Sequence, residues 1–178
     1  MTIPIRCMSL ALVAALGVAG CGKRDEAAGD TVRIGLAAPL TGPQSDIGLD
    51  IQRGTQLGIE DLNAQGVEIG GRKVKLELLS EDDEANPSKA TTVAQKLVDS
   101  RVVAVVGHFN SGASIPASKV YADAGIPQIS PGSTNPRYTQ QGYATTFRVV
   151  ANDDQQGPAV ASFLANTLKG RNVAIIDD

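Results

Sequence analysis

From position 31 onward, short apolar runs alternate with stretches whose apolar positions recur every three or four residues. Residues 32–38 (VRIGLAA) are mostly apolar and stop at Pro39, which predicts a buried first strand. Ile51, Thr55, Gly58 or Ile59, and Leu62 predict a helix over about 48–65, with Gly66 placed to end it. Gly70-Gly71 gives a tight hairpin turn into 73–80 (KVKLELLS), where apolar and polar residues alternate as in a second strand. Asn86-Pro87 pairs an N-cap with a proline at the first helical position. The helix it opens runs to about Ser100, with Ala90, Val93, Ala94, Leu97 and Val98 along one stripe. Residues 102–106 (VVAVV) predict a central strand covered on both faces. A helix over 111–124 turns Ala117, Val120, Tyr121 and Ala124 inward. Residues 125–130 form a fourth strand, with Pro127 at an edge or at the strand's beginning, and 145–150 a fifth. A helix over 153–168 places Val160, Phe163, Leu164 and Thr167 on one face, and 172–177 (NVAIID) form a sixth strand.

This alternation predicts βαβ units: an α/β fold with a parallel sheet flanked by helices, in three α/β/α layers. Such sheets bind ligands beyond the carboxyl ends of their strands. The loops to inspect are therefore 39–47, 81–85, 107–114 and 131–137.

The N-terminus follows a different pattern. Arg6 precedes an almost wholly apolar, small-residue stretch from Met8 to Ala19, as in a secretory signal that is too short for a secure membrane span. The run closes in Val18-Ala19-Gly20-Cys21, where small residues precede a cysteine that would carry a lipid anchor. The expected organisation is a signal peptide over 1–20, a flexible tether over 21–30, a first lobe over 31–150 and the start of a second over 151–178. A lipid anchor at Cys21 would hold the protein at the membrane surface, in the periplasm or at the cell surface, without spanning the bilayer.

Composition narrows the chemistry. The chain is 42% apolar, 20% charged and 3% aromatic, with a net charge of −3, and no basic cluster invites nucleic acid. The other cysteine, Cys7, lies in the signal, so the mature domain is expected to fold without an internal disulfide. His108 is the one histidine, which leaves no ligand set for a zinc-type metal site. A Ser–His pair with Ser111 has no third member and no nucleophile elbow, so His108 reads as a structural hydrogen-bonding residue and the chain as no enzyme. Glu81-Asp82-Asp83-Glu84 lacks the spacing of a calcium loop and reads as a solvated loop that charges the next helix's N-terminus. There is no phosphate-binding loop, and no cofactor is implied.

Two loops have the chemistry of an anion site. Residues 107–114 (GHFNSGAS) bring glycines and hydroxyls to a helix N-terminus, where free amides and the helix dipole favour a carboxylate. Residues 131–136 (PGSTNP) offer backbone groups beside two hydroxyls. Capping by Ser111 or Asn135 is the competing account of each loop.

The placed segments resemble the leucine/isoleucine/valine-binding proteins, a family of type I periplasmic binding proteins. The resemblance rests on Pro39-Leu40-Thr41-Gly42-Pro43, Asp61-Leu62-Asn63-Ala64-Gln65-Gly66 and Asp82-Asp83 ahead of Pro87. Val105-Val106-Gly107-His108, Tyr121-Ala122-Asp123-Ala124-Gly125-Ile126-Pro127, Ser130-Pro131 and Asp154-Gln155-Gln156-Gly157-Pro158 complete it. It implies two lobes closing on an amino acid that is handed to an ABC transporter permease. An amide, urea or aromatic acid on the same framework is the alternative. The resemblance makes Ser111 the main holder of the ligand carboxylate. Gly132 accepts from the ammonium through its carbonyl, and Thr134 reaches the carboxylate, with Ser133 in the same loop. Phe109 and Ile47 line the side-chain pocket. Ile47 stands where the family often has an aromatic ring, and Asn110 where some members have a disulfide cysteine. The resemblance also implies a longer chain, so that 178 residues hold one lobe and the first strand of the next, as a fragment or a truncated product.

Overall fold

A computed structural model describes residues 30–174. In chain order its elements are β1 (Asp30–Ala38), α1 (Ser45–Gln65), β2 (Val67–Ile69), β3 (Arg72–Asp82), α2 (Pro87–Asp99), β4 (Ala104–Gly107) and α3 (Ser111–Asp123). They continue with β5 (Gln128–Ser130), α4 (Arg137–Gln140), β6 (Thr146–Arg148) and α5 (Asp153–Ser162), which runs on into a wider π turn over Phe163–Thr167. The strands make one sheet in the order β2-β3-β1-β4-β5-β6. β1 lies parallel to both β3 and β4, and β5 and β6 continue the parallel run. The exception is β2, an antiparallel edge strand that the sequence pattern misses. Gly70 and Gly71, at φ 60° and 75°, supply the left-handed turn that folds β3 back on it. The sheet is therefore mixed and mostly parallel.

Helices cover both faces. Ala37 and Val105 join Ala90, Val93, Ala94 and Leu97 of α2 and Ala113, Ala117 and Tyr121 of α3 in the main core cluster. Gly35 makes that contact close, because a Cβ there would lie 3.2 Å from both Leu97 and Val105. The opposite face of β1 presents Leu36 and Ala38, both fully buried, and Ile59 of α1 is buried as well. Asn63 of α1 secures β3 by bonding both the N–H (2.8 Å) and the C=O (2.9 Å) of Leu76. Asn86 caps α2 as the sequence requires, accepting from the amides of Ser88 and Lys89.

Several boundaries move. β4 starts at Ala104, because Arg101 at φ 58° is still turning the chain out of α2, and Val103 is 50% exposed. The expected cover on both faces of this strand is uneven: Val105 and Gly107 are buried, while Ala104 and Val106 on the other face are half-buried. Further along that face, Ile129 of β5 and Phe147 of β6 are 37% and 50% exposed. Ala124 is exposed rather than inward, sitting at the C-cap of α3. β5 is interior and begins just after Pro127, so the proline marks a beginning and not an edge. The helix over 153–168 is α-helical only to Ser162, and none of its residues is buried. Residues 172–174 carry no strand, and the rest of the expected sixth strand lies outside the described residues, as do residues 1–29 with the signal, Cys21 and nearly all of the tether.

The acidic run is the largest correction. Asp82 is not a solvated charge: its carboxylate accepts from the amides of Leu40 (2.9 Å), Thr41 (3.4 Å) and Glu84 (2.9 Å), and from the Thr41 hydroxyl (2.6 Å). It thereby ties the loop after β1 to the end of β3. Asp83 is fully buried. The local sequence shows four acids in a row, whereas the donors that draw Asp82 inward come mainly from residues some forty positions earlier.

Two predictions follow from this packing. Gly48 lies in the first turn of α1 and is buried against Pro39, and a Cβ would fall 2.0 Å from the Pro39 carbonyl oxygen. Gly48→Ala should lower unfolding stability by about 2 kcal/mol or more, read as a reduced urea midpoint. For Asp82, partial burial acts to raise the carboxyl's pKa. The Thr41 hydroxyl, the Glu84 and Leu40 amides and the Lys89 charge outweigh it and hold the pKa below the usual 3.8. A pKa lowered in the folded state stabilises fully above the unfolded-state value and is lost as pH falls through the folded one. Asp82→Asn should thus cost about 1 kcal/mol at pH 7, and the gap to the parent protein should close as the pH falls through the lowered folded-state pKa. Urea midpoints measured across pH check this.

Candidate functional site

Three loops meet at the carboxyl ends of β1, β4 and β5. The chain leaves β4 through Gly107, at φ 125°, where a Cβ would lie 2.0 Å from the carbonyl oxygen of Ala37. Only glycine lets the strand end press so closely on β1. His108 follows and is fully buried, with Nδ1 2.6 Å from Asp83 Oδ2 and Nε2 3.2 Å from the Tyr121 hydroxyl. The other Asp83 oxygen accepts from the Ala85 amide at 2.8 Å. Burial foremost, then the Asp83 charge and Tyr138, push the Tyr121 hydroxyl well above its ordinary pKa, so it stays protonated and can donate to Nε2. Both ring nitrogens are therefore occupied within the core. The imidazole does not face Ser111, and His108 is the structural residue the sequence suggests.

Ser111 opens α3. Asn110 precedes it at the cap position but makes no capping bond. Its Nδ2 donates instead to Gln44 Oε1 at 2.8 Å, joining this loop to the one after β1. The Asn110 carbonyl accepts from the amides of Ala113 and Ser114. The first two amides of the helix, those of Ser111 and Gly112, precede any intrahelical acceptor and remain at its open end. The Ser111 hydroxyl accepts from the Asn135 amide at 3.2 Å, so it bridges to the loop after β5 rather than capping its own helix. Capping does account for Asn135, whose Oδ1 accepts from the Arg137 amide at 3.0 Å as α4 begins.

The expected site residues fall into place unequally. Phe109 and Gly132 are packed together: a Cβ on Gly132 would lie 2.3 Å from the Phe109 ring, so the glycine makes room for the aromatic face. Thr134 is half-buried, and its carbonyl accepts from the Asp153 amide at 2.9 Å. Ile47 lies in the first turn of α1 and is 40% exposed. Ser133 is fully buried, with its hydroxyl 2.6 Å from that of Ser114 and 3.1 Å from the Phe109 carbonyl. Its side chain therefore serves the interior of the loop pair. Among the described residues no cluster of three or more His, Cys, Asp or Glu is arranged to hold a metal ion.

Sequence reasoning missed Arg148. Its guanidinium donates to the carbonyls of Ser133 (2.7 Å), Asn135 (3.0 Å) and Pro136 (3.4 Å) and to the Thr139 hydroxyl (2.8 Å), and lies 5.4 Å from the Tyr138 ring centre. Five fixed donors match this set of carbonyls in a way a lysine would not. It gathers the carbonyls of residues 133, 135 and 136 onto one cation. An arginine at the end of a three-residue strand carries no sequence signal of that role.

The chain's likeness to known proteins agrees with this geometry. The periplasmic binding protein family matches residues 31–178. An amino acid binding protein of Pseudomonas aeruginosa is 46% identical over 148 residues, covering 83% of this chain and 39% of that protein. The leucine-, isoleucine-, valine-, threonine- and alanine-binding protein of the same organism is 39% identical over 168 residues, 94% of this chain and 44% of its own length. The branched-chain amino acid transporter substrate binding protein of Streptococcus pneumoniae, solved with isoleucine, superposes with a TM-score of 0.72 at 31% identity. That alignment covers 79% of this chain and 39% of the other. The chain thus spans less than half the length of these relatives. With a mostly parallel sheet, its loops gathered at the strand ends and a match from residue 31 to 178, the chain belongs to the periplasmic binding protein family.

Proposed function

We propose that the protein is an extracytoplasmic solute receptor that captures a branched-chain or related amino acid and delivers it to an ABC transporter permease, with this chain forming the first lobe. The observation that carries the reading is the start of α3. Its helix end is left open by Asn110, and the Ser111 hydroxyl there bonds across to the neighbouring loop. A carboxylate placed at that end meets the Ser111 hydroxyl, two amides and the positive end of the helix dipole. Gly132 offers its carbonyl to the ammonium, Thr134 adds a hydroxyl for the carboxylate, and Phe109 with Ile47 forms the apolar wall for the side chain. Ser133 acts from behind, through its bonds to Ser114 and Phe109. The names of the Pseudomonas and Streptococcus relatives support the amino-acid class. Binding without covalent chemistry is what this donor set suits, with neither cofactor nor metal required.

A second lobe beginning near Ala151 would close over the ligand, with α5 as its first helix, whose residues, none of them buried, leave a surface for the rest of that lobe. The N-terminal 20 residues act as a signal, residues 21–30 as a tether, and Cys21 as the lipid-bearing residue that keeps the receptor beside its permease.

A thermal-shift screen of the full-length protein should show stabilisation by leucine, isoleucine or valine at millimolar concentration. Silence towards all three, with a shift from an aromatic acid such as benzoate, would move the specificity to that class. Ser111→Ala combined with Thr134→Ala should weaken amino-acid binding by about a hundredfold or more, and unchanged affinity by calorimetry would refute the site. Cells grown with labelled palmitate should label the parent protein. Cys21→Ser should lose the label and move the protein to the soluble fraction, and a variant that stays labelled would refute the anchor.

A further inference from the structure

Ser130, the last residue of β5, is fully buried, and its one hydroxyl touches both ligand loops. It donates to the His108 carbonyl at 2.7 Å and accepts from the Ser133 amide at 2.9 Å and the Gly132 amide at 3.3 Å. A hydroxyl has one proton and two lone pairs, so this uses its full capacity. On one side is the residue preceding Phe109, and on the other are two of the residues expected at the ligand. The remaining bonds between the loops allow some choice. Ser114 can donate to the His108 carbonyl (2.9 Å) or to Ser133, and Ser133 to the Phe109 carbonyl or to Ser114. With one proton on each hydroxyl, these contacts cannot all be made at once. Ser130 has no such ambiguity, because its two amide partners can only donate and its carbonyl partner can only accept.

We propose that Ser130 is a positioning residue of the receptor. Through the His108 carbonyl and the Gly132 and Ser133 amides it sets the separation between the carboxylate-holding start of α3 and the loop that carries Gly132 and Thr134. It touches no ligand. Its influence on affinity rests on the amino-acid reading above, whereas its hold on the loops does not. Removing the hydroxyl leaves two amides without their acceptor, one of them in a fully buried residue. A threonine keeps the hydroxyl and suits a strand.

The test uses the full-length protein as parent, Ser130→Ala and Ser130→Thr. Without ligand, hydrogen exchange at the Gly132 and Ser133 amides should quicken by about tenfold or more in Ser130→Ala and return towards the parent rate in Ser130→Thr. Exchange at Val105 and Gln128, whose amides bond to the Pro127 and Thr145 carbonyls, should stay as in the parent. Leucine affinity by calorimetry should fall by about tenfold in Ser130→Ala and recover in Ser130→Thr. Unchanged exchange at residues 132 and 133 would overturn the proposal, as would equal quickening at 105 and 128. Faster exchange with unchanged leucine affinity would overturn the role in binding. A parent protein that ignored leucine would count against the amino-acid reading, and the ligand-free exchange would then decide the positioning role alone.

Discussion

Asp83 places a carboxylate where no water reaches it, and the ends of the central strands are arranged around that fact. A buried carboxylate is costly unless its oxygens are bonded, and here the His108 imidazole and the Ala85 amide take one oxygen each. The Asp83 amide donates to the Ala38 carbonyl, so the residue spans from the end of β3 across β1 to the residue that follows β4. The His108 ring is in turn held by Tyr121 from α3. With the ring fixed on both sides, the carbonyl of the same residue becomes a stationary acceptor, and the serines of the neighbouring loops gather on it. The described residues contain no cysteine to brace these loops covalently, and this buried hydrogen-bonded set performs that task.

Around this centre the two neighbouring acids divide their work by direction. Successive strand residues point to opposite faces, so Asp82 and Asp83 at the end of β3 face opposite ways. Asp82 turns to the loop after β1 and Asp83 to the loop after β4. Arg148 braces the third loop from the far edge of the sheet through the carbonyls of residues 133, 135 and 136. Side chains expected to face a ligand are thus separated from side chains that support the backbone. Ser133 belongs to the second group, although its position beside Gly132 and Thr134 suggests the first.

What could be read from the sequence follows the range of the interactions involved. The boundaries of α2 and the end of α1 were legible because Asn86, Pro87 and Gly66 act on their immediate neighbours. β2 and α4, at three and four residues, are too short for a periodic pattern to register. The VVAVV run blurred the start of β4, since Val102 is buried in the core cluster while still completing the turn out of α2. For the proposed site, the glycines and hydroxyls at a helix start single out the loop of Ser111, and Phe109 enters only through the family resemblance. The roles of Asp82, Asp83 and Arg148 were not. Each depends on a partner that only the folded sheet brings near, as with His108 lying 25 positions beyond Asp83.

The placement of the aromatic rings has an optical consequence. The chain contains three tyrosines and no tryptophan, so tyrosine dominates its near-ultraviolet spectrum. Two of the three are fully buried, and each touches one brace of the site: Tyr121 bonds to the imidazole held by Asp83, and Tyr138 lies beneath the guanidinium of Arg148. Tyr143 remains as the more solvated third ring. Circular dichroism and emission from the unmodified chain therefore view the two loop supports directly, with no engineered label and no stronger chromophore to mask them.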